Sequence, residues 1–212
     1  WFMIDGGEFR ELRFPDVAYS PHHHEYLVVW EEFTFGPPPG TTIRGRRLGG
    51  SGNPVTQSFT IYDFDPSHSP AVAYASTSQK FLVVWEYFDL IGNSILGRTL
   101  DPGVGLGGTH YIYEDPGGAP AAQADVAYCR TRNEHLVVWR QDNGNSDIRG
   151  RRVSGANGAP LAVPLDISTL GHPEQLPAVA ALPLINNQGN YLVAWELDIG
   201  TSINIMARSV EI

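Results

Sequence analysis

The amino-acid sequence predicts an all-β protein made of four repeated units. A Leu-Val-Val-Trp-like segment recurs four times, at spacings of 55, 54 and 56 residues. The chain contains 23 glycines and 16 prolines, so it turns often. The apolar segments between these turns are roughly five to seven residues long, which is short for helices and typical of strands.

Each repeat contains three segments that are predicted to be strands. They are rich in β-branched and aromatic residues, which favour strands. Because the second segment is apolar without alternation, we expect both of its faces to be covered by protein. The first segments are residues 16–19, 71–74, 125–128 and 178–181, the second end at Trp30, Trp85, Trp139 and Trp195, and the third are 43–46, 95–98, 148–151 and 205–208.

A fourth, looser strand follows in the first three repeats, at residues 58–63, 110–114 and 163–168. The last repeat has no such segment, but residues 1–5, Trp-Phe-Met-Ile-Asp, match residues 59–63 in type. We therefore predict that this N-terminal strand pairs beside the last residues and completes the fourth repeat. Deleting it is then expected to lower the melting temperature.

Four-stranded repeats of this length, covered on both faces, resemble the blades of a β-propeller. Completion of the last blade by the N-terminal strand resembles the closure of many propellers, which removes unpaired sheet edges. The resemblance implies an all-β, four-bladed β-propeller that spans residues 1–212 as a single domain. The predicted blades are residues 13–66, 67–120, 121–173, and 174–212 together with 1–12.

The repeats also resemble the Leu-Val-Val-Trp repeats of large secreted prokaryotic proteins. This resemblance implies an extracellular or cell-surface location. The formal charge of −9 argues against nucleic acid and anionic membrane surfaces as partners. No apolar run approaches the roughly 18 residues needed to cross a bilayer, so no membrane span is expected.

The repeated aromatic and basic residues are expected to be structural. Each Trp ends an apolar strand, which favours packing between blades over contact with a sugar. The repeated arginines could form a ring that binds carboxylates, but pairing with nearby acids or bonding to loop carbonyls is favoured. The arginines are Arg46, Arg98, Arg151 and Arg208, and the acids that follow three of the Trp residues are Glu31, Glu86 and Glu196.

Two carboxylates form the candidate metal site. Asp16 and Asp125 begin the first strand of repeats one and three, where repeats two and four have Ala71 and Ala178. The innermost strands of a propeller line its channel, and blades one and three of four face one another. The two carboxylates are therefore candidates to hold a channel cation such as calcium, which needs six to eight oxygen ligands, some of them carbonyls and waters. The alternative is that both aspartates lie in turns at strand starts.

Three further features are expected to have no catalytic or metal-binding role. Residues 22–24, His-His-His, are expected in a solvated hairpin loop, because adjacent histidines point to different sides. Residues 142–147 contain Asn-Gly, a strong hairpin signal, and lack the spacing of a calcium loop. Cys129, the one cysteine, excludes an intramolecular disulfide and is expected to be a buried apolar residue.

The sequence contains no nucleophile elbow, phosphate loop, zinc-protease motif or dinucleotide fingerprint. We therefore predict a non-enzymatic extracellular interaction or structural module, an adhesin or assembly subunit, that contacts protein or its own copies. A glycan-binding lectin is the alternative. A second alternative is a propeller glycosidase that uses Asp16 and Asp125 as its pair of carboxylates.

Overall fold

A computed structural model describes residues 2–64, 66–88, 92–115, 117–182 and 190–211. Fifteen β-strands in these ranges form four antiparallel sheets, each ordered as the chain runs. No helix among these residues is long and apolar enough to cross a membrane. The prediction of an all-β fold with four blades is confirmed, while the predicted blade limits stay a prediction.

The four sheets follow one another along the chain and are called blades 1 to 4. Blade 1 contains β1 (Arg10–Ser20), β2 (Glu25–Thr34), β3 (Gly40–Gly49) and β4 (Phe59–Tyr62). Blade 2 contains β5 (Ser67–Ala75), β6 (Lys80–Phe88), β7 (Asn93–Asp101) and β8 (Gly105–Tyr113). Blade 3 contains β9 (Ala121–Cys129), β10 (Glu134–Asp142), β11 (Ser146–Ser154) and β12 (Leu165–Ser168). Blade 4 contains β13 (Glu174–Ala181), β14 (Asn190–Asp198) and β15 (Ile203–Glu211).

Apolar side chains from facing blades form the core. Separate clusters join blade 1 to blade 2, blade 2 to blade 3, and blade 3 to blade 4. The second strands of blades 1 to 3 are buried on both faces, as expected for strands that are apolar without alternation, whereas β14 of blade 4 is buried on one face only. The prediction that the repeated Trp residues pack between blades is confirmed for Trp85, Trp139 and Trp195. Trp30 is also buried, but it packs within blade 1 and against Ile4.

The glycine of each Ile-x-Gly-Arg segment makes room for the fourth strand. A Cβ atom at Gly97 would lie 2.7 Å from Ile112 Cδ1 of the neighbouring strand. At the equivalent position in blade 3, a Cβ atom at Gly150 would lie 2.7 Å from Ile167 Cδ1. In blade 4, where the described sheet has no fourth strand, this position is Ala207.

The inner strand of every blade contains a β-bulge. The pairing register with the second strand shifts at the same place in each blade. One residue there has a positive φ, between 49° and 57°, and its backbone N–H is no longer part of a regular ladder. These residues are Phe14, Ser69, Gln123 and Leu176.

The repeated arginines cross from one blade to the previous one. Arg98 Nη1 donates to the carbonyl oxygen of Ile61 at 2.8 Å, and Arg208 Nη1 donates to that of Ile167 at 2.7 Å. The prediction that these arginines bond to carbonyls is thus correct for them. Among the described residues these arginines do not pair with the glutamates after the Trp residues. Arg98, Arg151 and Arg208 reach the fourth strand of the preceding blade instead.

The N-terminal residues lie beside blade 1. Arg46 Nη1 donates to the Ile4 carbonyl, as Arg98 does to that of Ile61, so Ile4 holds the place of a preceding fourth strand. Residues 2–5 form no strand in the structure, and blade 4 has three strands. The described residues therefore do not form the predicted pairing of the N-terminal strand with blade 4; Trp1 and Ile212 lie outside them.

Three smaller predictions are confirmed. Residues 21–24 form the turn between β1 and β2. Gly144, at a φ of 105°, turns the chain between β10 and β11. Cys129 is buried in the cluster between blades 3 and 4.

Candidate functional site

The two predicted site aspartates tie consecutive blades together. Asp16 Oδ2 accepts the backbone N–H of Val72 in blade 2 at 2.7 Å. Asp125 Oδ2 accepts that of Val179 in blade 4 at 2.8 Å. In both aspartates, Oδ1 accepts the N–H of the next residue in its own strand at 2.8 Å. All four carboxylate oxygens therefore have a backbone donor, which holds the side chains in fixed positions.

The aspartates of blades 1 and 3 also act on each other. Burial raises the pKa of Asp125, and the negative charge of Asp16 raises it further. The N–H groups of Val179 and Val126 lower the pKa, but they do not cancel the effect of burial. The charge of Asp16 is thus one of the causes that raise the pKa of Asp125, and the convergence of the two carboxylates on one site stays a prediction.

The calcium prediction at Asp16 and Asp125 stays a prediction. No group of three or more His, Cys, Asp or Glu side chains suited to a metal occurs in the described part of the chain. A cation there would have to share oxygens that already accept N–H groups, and would take its remaining ligands from carbonyls and water.

A second polar cluster lies where blades 1, 2 and 3 meet at the bulges. Glu31 Oε2 lies 3.1 Å from His68 Nδ1 and accepts the N–H of Ser69 at 3.3 Å. Glu86 Oε1 accepts the N–H of Gln123 at 2.7 Å. Both glutamates are buried, so each uses its carboxylate to satisfy the bulge of the next blade.

Burial raises the pKa of Glu86, which favours its protonated form. The charge of Glu31 acts in the same direction, while the N–H of Gln123 and the charges of His68 and Arg140 oppose it. The sequence offered these glutamates as available partners of the repeated arginines, but in the structure they accept the N–H groups of the bulges instead. The position of Glu31 and Glu86 directly after a Trp indicated a structural role. Their contact with a bulge in the next blade could not be predicted, because no sequence pattern near the glutamates indicates it.

The aspartate pair has the features that acid–base chemistry needs. A carboxyl group with a raised pKa keeps its proton for donation, and a nearby charged carboxylate can accept one. Asp16 and Asp125 are partly exposed, whereas Glu31 and Glu86 are almost fully buried. The inner-strand pair is therefore more accessible to a ligand than the cluster at the bulges.

No protein-family model and no curated protein sequence match this chain. Solved structures do match its fold. An endo-arabinase from Bacteroides thetaiotaomicron is 12% identical with a TM-score of 0.56, and the match covers 100% of this chain and 80% of the enzyme. An α-L-arabinofuranosidase from Lactobacillus brevis is 16% identical with a TM-score of 0.55, covering 94% of this chain and 68% of the enzyme. A family-43 β-1,3-galactosidase is 9% identical with a TM-score of 0.59, covering 95% of this chain and 75% of the enzyme.

These matches correct two predictions. The similar structures are glycoside hydrolases, which overturns the prediction of a non-enzymatic adhesin or assembly subunit and the prediction that the chain is not an enzyme. The prediction of a non-enzymatic protein was based on the absence of linear catalytic motifs. A glycosidase needs no such motif, because its two carboxylates can lie on separate strands. At 9–16% identity the likeness establishes the fold alone.

Proposed function

We propose that this chain is a glycoside hydrolase whose acid–base pair is Asp125 and Asp16. The observation that carries the proposal is a pair of inner-strand carboxylates in blades 1 and 3, each held by two backbone N–H groups. Burial raises the pKa of Asp125, and the charge of Asp16 acts in the same direction. Glycoside hydrolases commonly use two carboxyl groups that flank the bond to be broken. The glycosidases with a similar fold support the same reaction class, and a glycan is the corresponding partner.

The two residues have separate roles in this proposal. Asp125, whose pKa burial raises, donates its proton to the glycosidic oxygen as the bond from that oxygen to the anomeric carbon breaks. Asp16 either takes a proton from the attacking water or attacks the anomeric carbon itself. The anomeric configuration of the first product, followed by NMR, distinguishes inversion from retention. Extracellular location, as in the secreted prokaryotic proteins with similar repeats, remains part of the proposal.

The experiment measures hydrolysis of aryl α-L-arabinofuranosides, β-D-galactosides and β-D-xylosides, and of arabinan. Asp16→Asn and Asp125→Asn are each expected to lower kcat/KM by roughly 10²-fold or more on the substrate that the unaltered chain hydrolyses. Asp101→Asn is the matched control: Asp101 also accepts a backbone N–H, from Gly103 at 2.9 Å, but it lies at the end of β7 in blade 2, beside the turn to β8. It is expected to keep full activity.

The pH profile adds a readout that folding defects do not imitate. Asp125 must be protonated to act as the acid, so the rate is expected to fall as pH rises through its raised pKa. In Asp125→Asn this limb should vanish. Melting temperatures of all variants identify any loss that comes from the broken hydrogen bond to Val179. The proposal fails if the unaltered chain hydrolyses none of the substrates, or if both variants keep its activity.

A further inference from the structure

Equivalent residues of the four blades differ sharply in exposure at blade 4. The leucine of the Leu-Val-Val-Trp segment is 0% exposed in the first three blades, whereas Leu192 is 44% exposed. The isoleucine of the Ile-x-Gly-Arg segment is also 0% exposed in those blades, whereas Ile205 is 74% exposed. The buried equivalents are Leu27, Leu82, Leu136, Ile43, Ile95 and Ile148. In blades 1 to 3 these side chains face the next blade, so the outer face of blade 4 has the surface of an interface for which the described residues supply no partner.

Blade 1 shows the complementary surface. Val17 is 54% exposed, but its equivalents Val72 and Val126 are each 6% exposed because a preceding blade covers them. Val28, which pairs with Val17, and Trp30 line a groove of about 260 Å³ on this face, together with residues of the N-terminal segment that include Ile4 and Asp5. Ile4 and Leu12 pack against Val28 and Trp30, which are 8% and 4% exposed. In blades 2 and 3, residues of the preceding blade fill the corresponding space.

Polar groups at the two ends match the same interface. Within the molecule, a glutamate after the Trp accepts the bulge N–H of the next blade, as Glu86 does with Gln123. Blade 4 ends with Glu196 at this position, and blade 1 begins with the equivalent bulge residue Phe14. Ile4, bonded to Arg46, stands where the fourth strand of a preceding blade would lie.

We propose that one further blade of the same repeat type occupies the space between the outer face of blade 4 and the exposed face of blade 1. Its inner-strand bulge would donate to Glu196, and a glutamate after its Trp would accept from Phe14. Ile4 would then belong to its fourth strand.

The matched structures favour a single blade. All of this chain corresponds to 80% of the endo-arabinase, so the remaining fifth of that enzyme is about the length of one repeat. A single blade would also contact both open faces at once. This inference does not depend on the proposed hydrolase activity, because it rests on exposure and on contacts between blades.

The test extends the full chain by one repeat. Because β15 corresponds to β7 and residue 212 to residue 102, a copy of residues 103–154 placed after residue 212 supplies a fourth strand for blade 4 and three strands of a new blade. The copied Ile112 is changed to Val, since the Cβ of Ala207 fills space that Gly97 leaves free. The control extension has Asp in place of the copied Val137 and Trp139, which face the preceding blade.

The extended chain is expected to melt roughly 5–10 °C above the original, and the control extension should not. Leu192→Asp should leave the original chain almost unchanged but lower the melting temperature of the extended chain. Equal melting temperatures of the original and extended chains would overturn the proposal. Strong destabilisation of the original chain by Leu192→Asp would also overturn the proposal, because the outer face of blade 4 would then already be covered. Sedimentation velocity would show whether a second copy covers that face or whether one chain closes on itself.

Discussion

The face of blade 2 that meets blade 3 and the outer face of blade 4 have the same leucine and isoleucine at two equivalent positions, but only the first face is buried. Leu82 and Ile95 touch a neighbouring blade, while Leu192 and Ile205 contact solvent. The difference shows that a Leu-Val-Val-Trp strand is buried by its neighbours and not by its own sheet. Equal sequence motifs therefore contribute unequally to stability.

The largest expected effect compares one leucine in two blades. Leu136→Ala in blade 3 removes a fully buried side chain and is expected to lower the free energy of unfolding by about 2–5 kcal/mol. Leu192→Ala in blade 4 removes a side chain that is already exposed and should cost below about 1 kcal/mol. Urea unfolding followed by tryptophan fluorescence measures both. Equal losses would show that blade 4 is covered in solution.

The second prediction concerns a buried histidine in blade 3. His135 occupies the position of Phe81 in blade 2, and neither ring nitrogen has a hydrogen-bond partner among the described residues. Burial lowers its pKa to about 3. His135→Phe is expected to raise stability at neutral pH by about 1–3 kcal/mol, because it removes two unsatisfied nitrogens.

The pH dependence of the same variant has a defined sign. The unfolded histidine binds a proton near its ordinary pKa of 6.5, whereas the folded one stays neutral until about pH 3. Its contribution to the stability of the unaltered chain therefore falls as pH falls through this window. His135→Phe should lose that part of the slope in chemical unfolding at several pH values. An unchanged slope would mean that His135 is protonated in the folded chain.

The smallest expected effect compares two of the repeated arginines. Arg98→Met breaks bonds to the carbonyls of Ile61 and Gly107 between two packed blades, which should cost about 1–2 kcal/mol. Arg46→Met releases Ile4 at the open face of blade 1 and should cost less. Hydrogen exchange should show loosening around residues 2–12 in the second variant. Equal losses of stability in the two variants would contradict the difference between packed and open faces.

The repeated pattern was enough to predict the strands and the core. Trp85 and its equivalents could be placed because a short apolar strand between turns must be covered on both faces. The contact of Glu31 with the bulge at Ser69 could not be predicted, because it joins residues of different blades. It also depends on a backbone kink that several residue types adopt. The predicted pairing of residues 1–5 with blade 4 was equally non-local. Sequence similarity could not determine which blade Ile4 contacts.

For the site, the sequence placed Asp16 and Asp125 in opposite blades on the basis of their alternation with alanine. It could not show that each carboxylate also binds a backbone N–H of the following blade, such as that of Val72. That bond depends on how inner strands pack, and it gives the aspartates a structural role beside any chemical one.

Thiol labelling tests the open outer face of blade 4 most directly. Cys129 is buried, so a cysteine introduced elsewhere reports its own accessibility. Under native conditions Leu192→Cys is expected to react with a maleimide almost as fast as a free thiol, while Leu136→Cys should stay protected until the chain unfolds. Protection of both cysteines would contradict the account, because the outer face of blade 4 would then be buried like the faces inside the molecule.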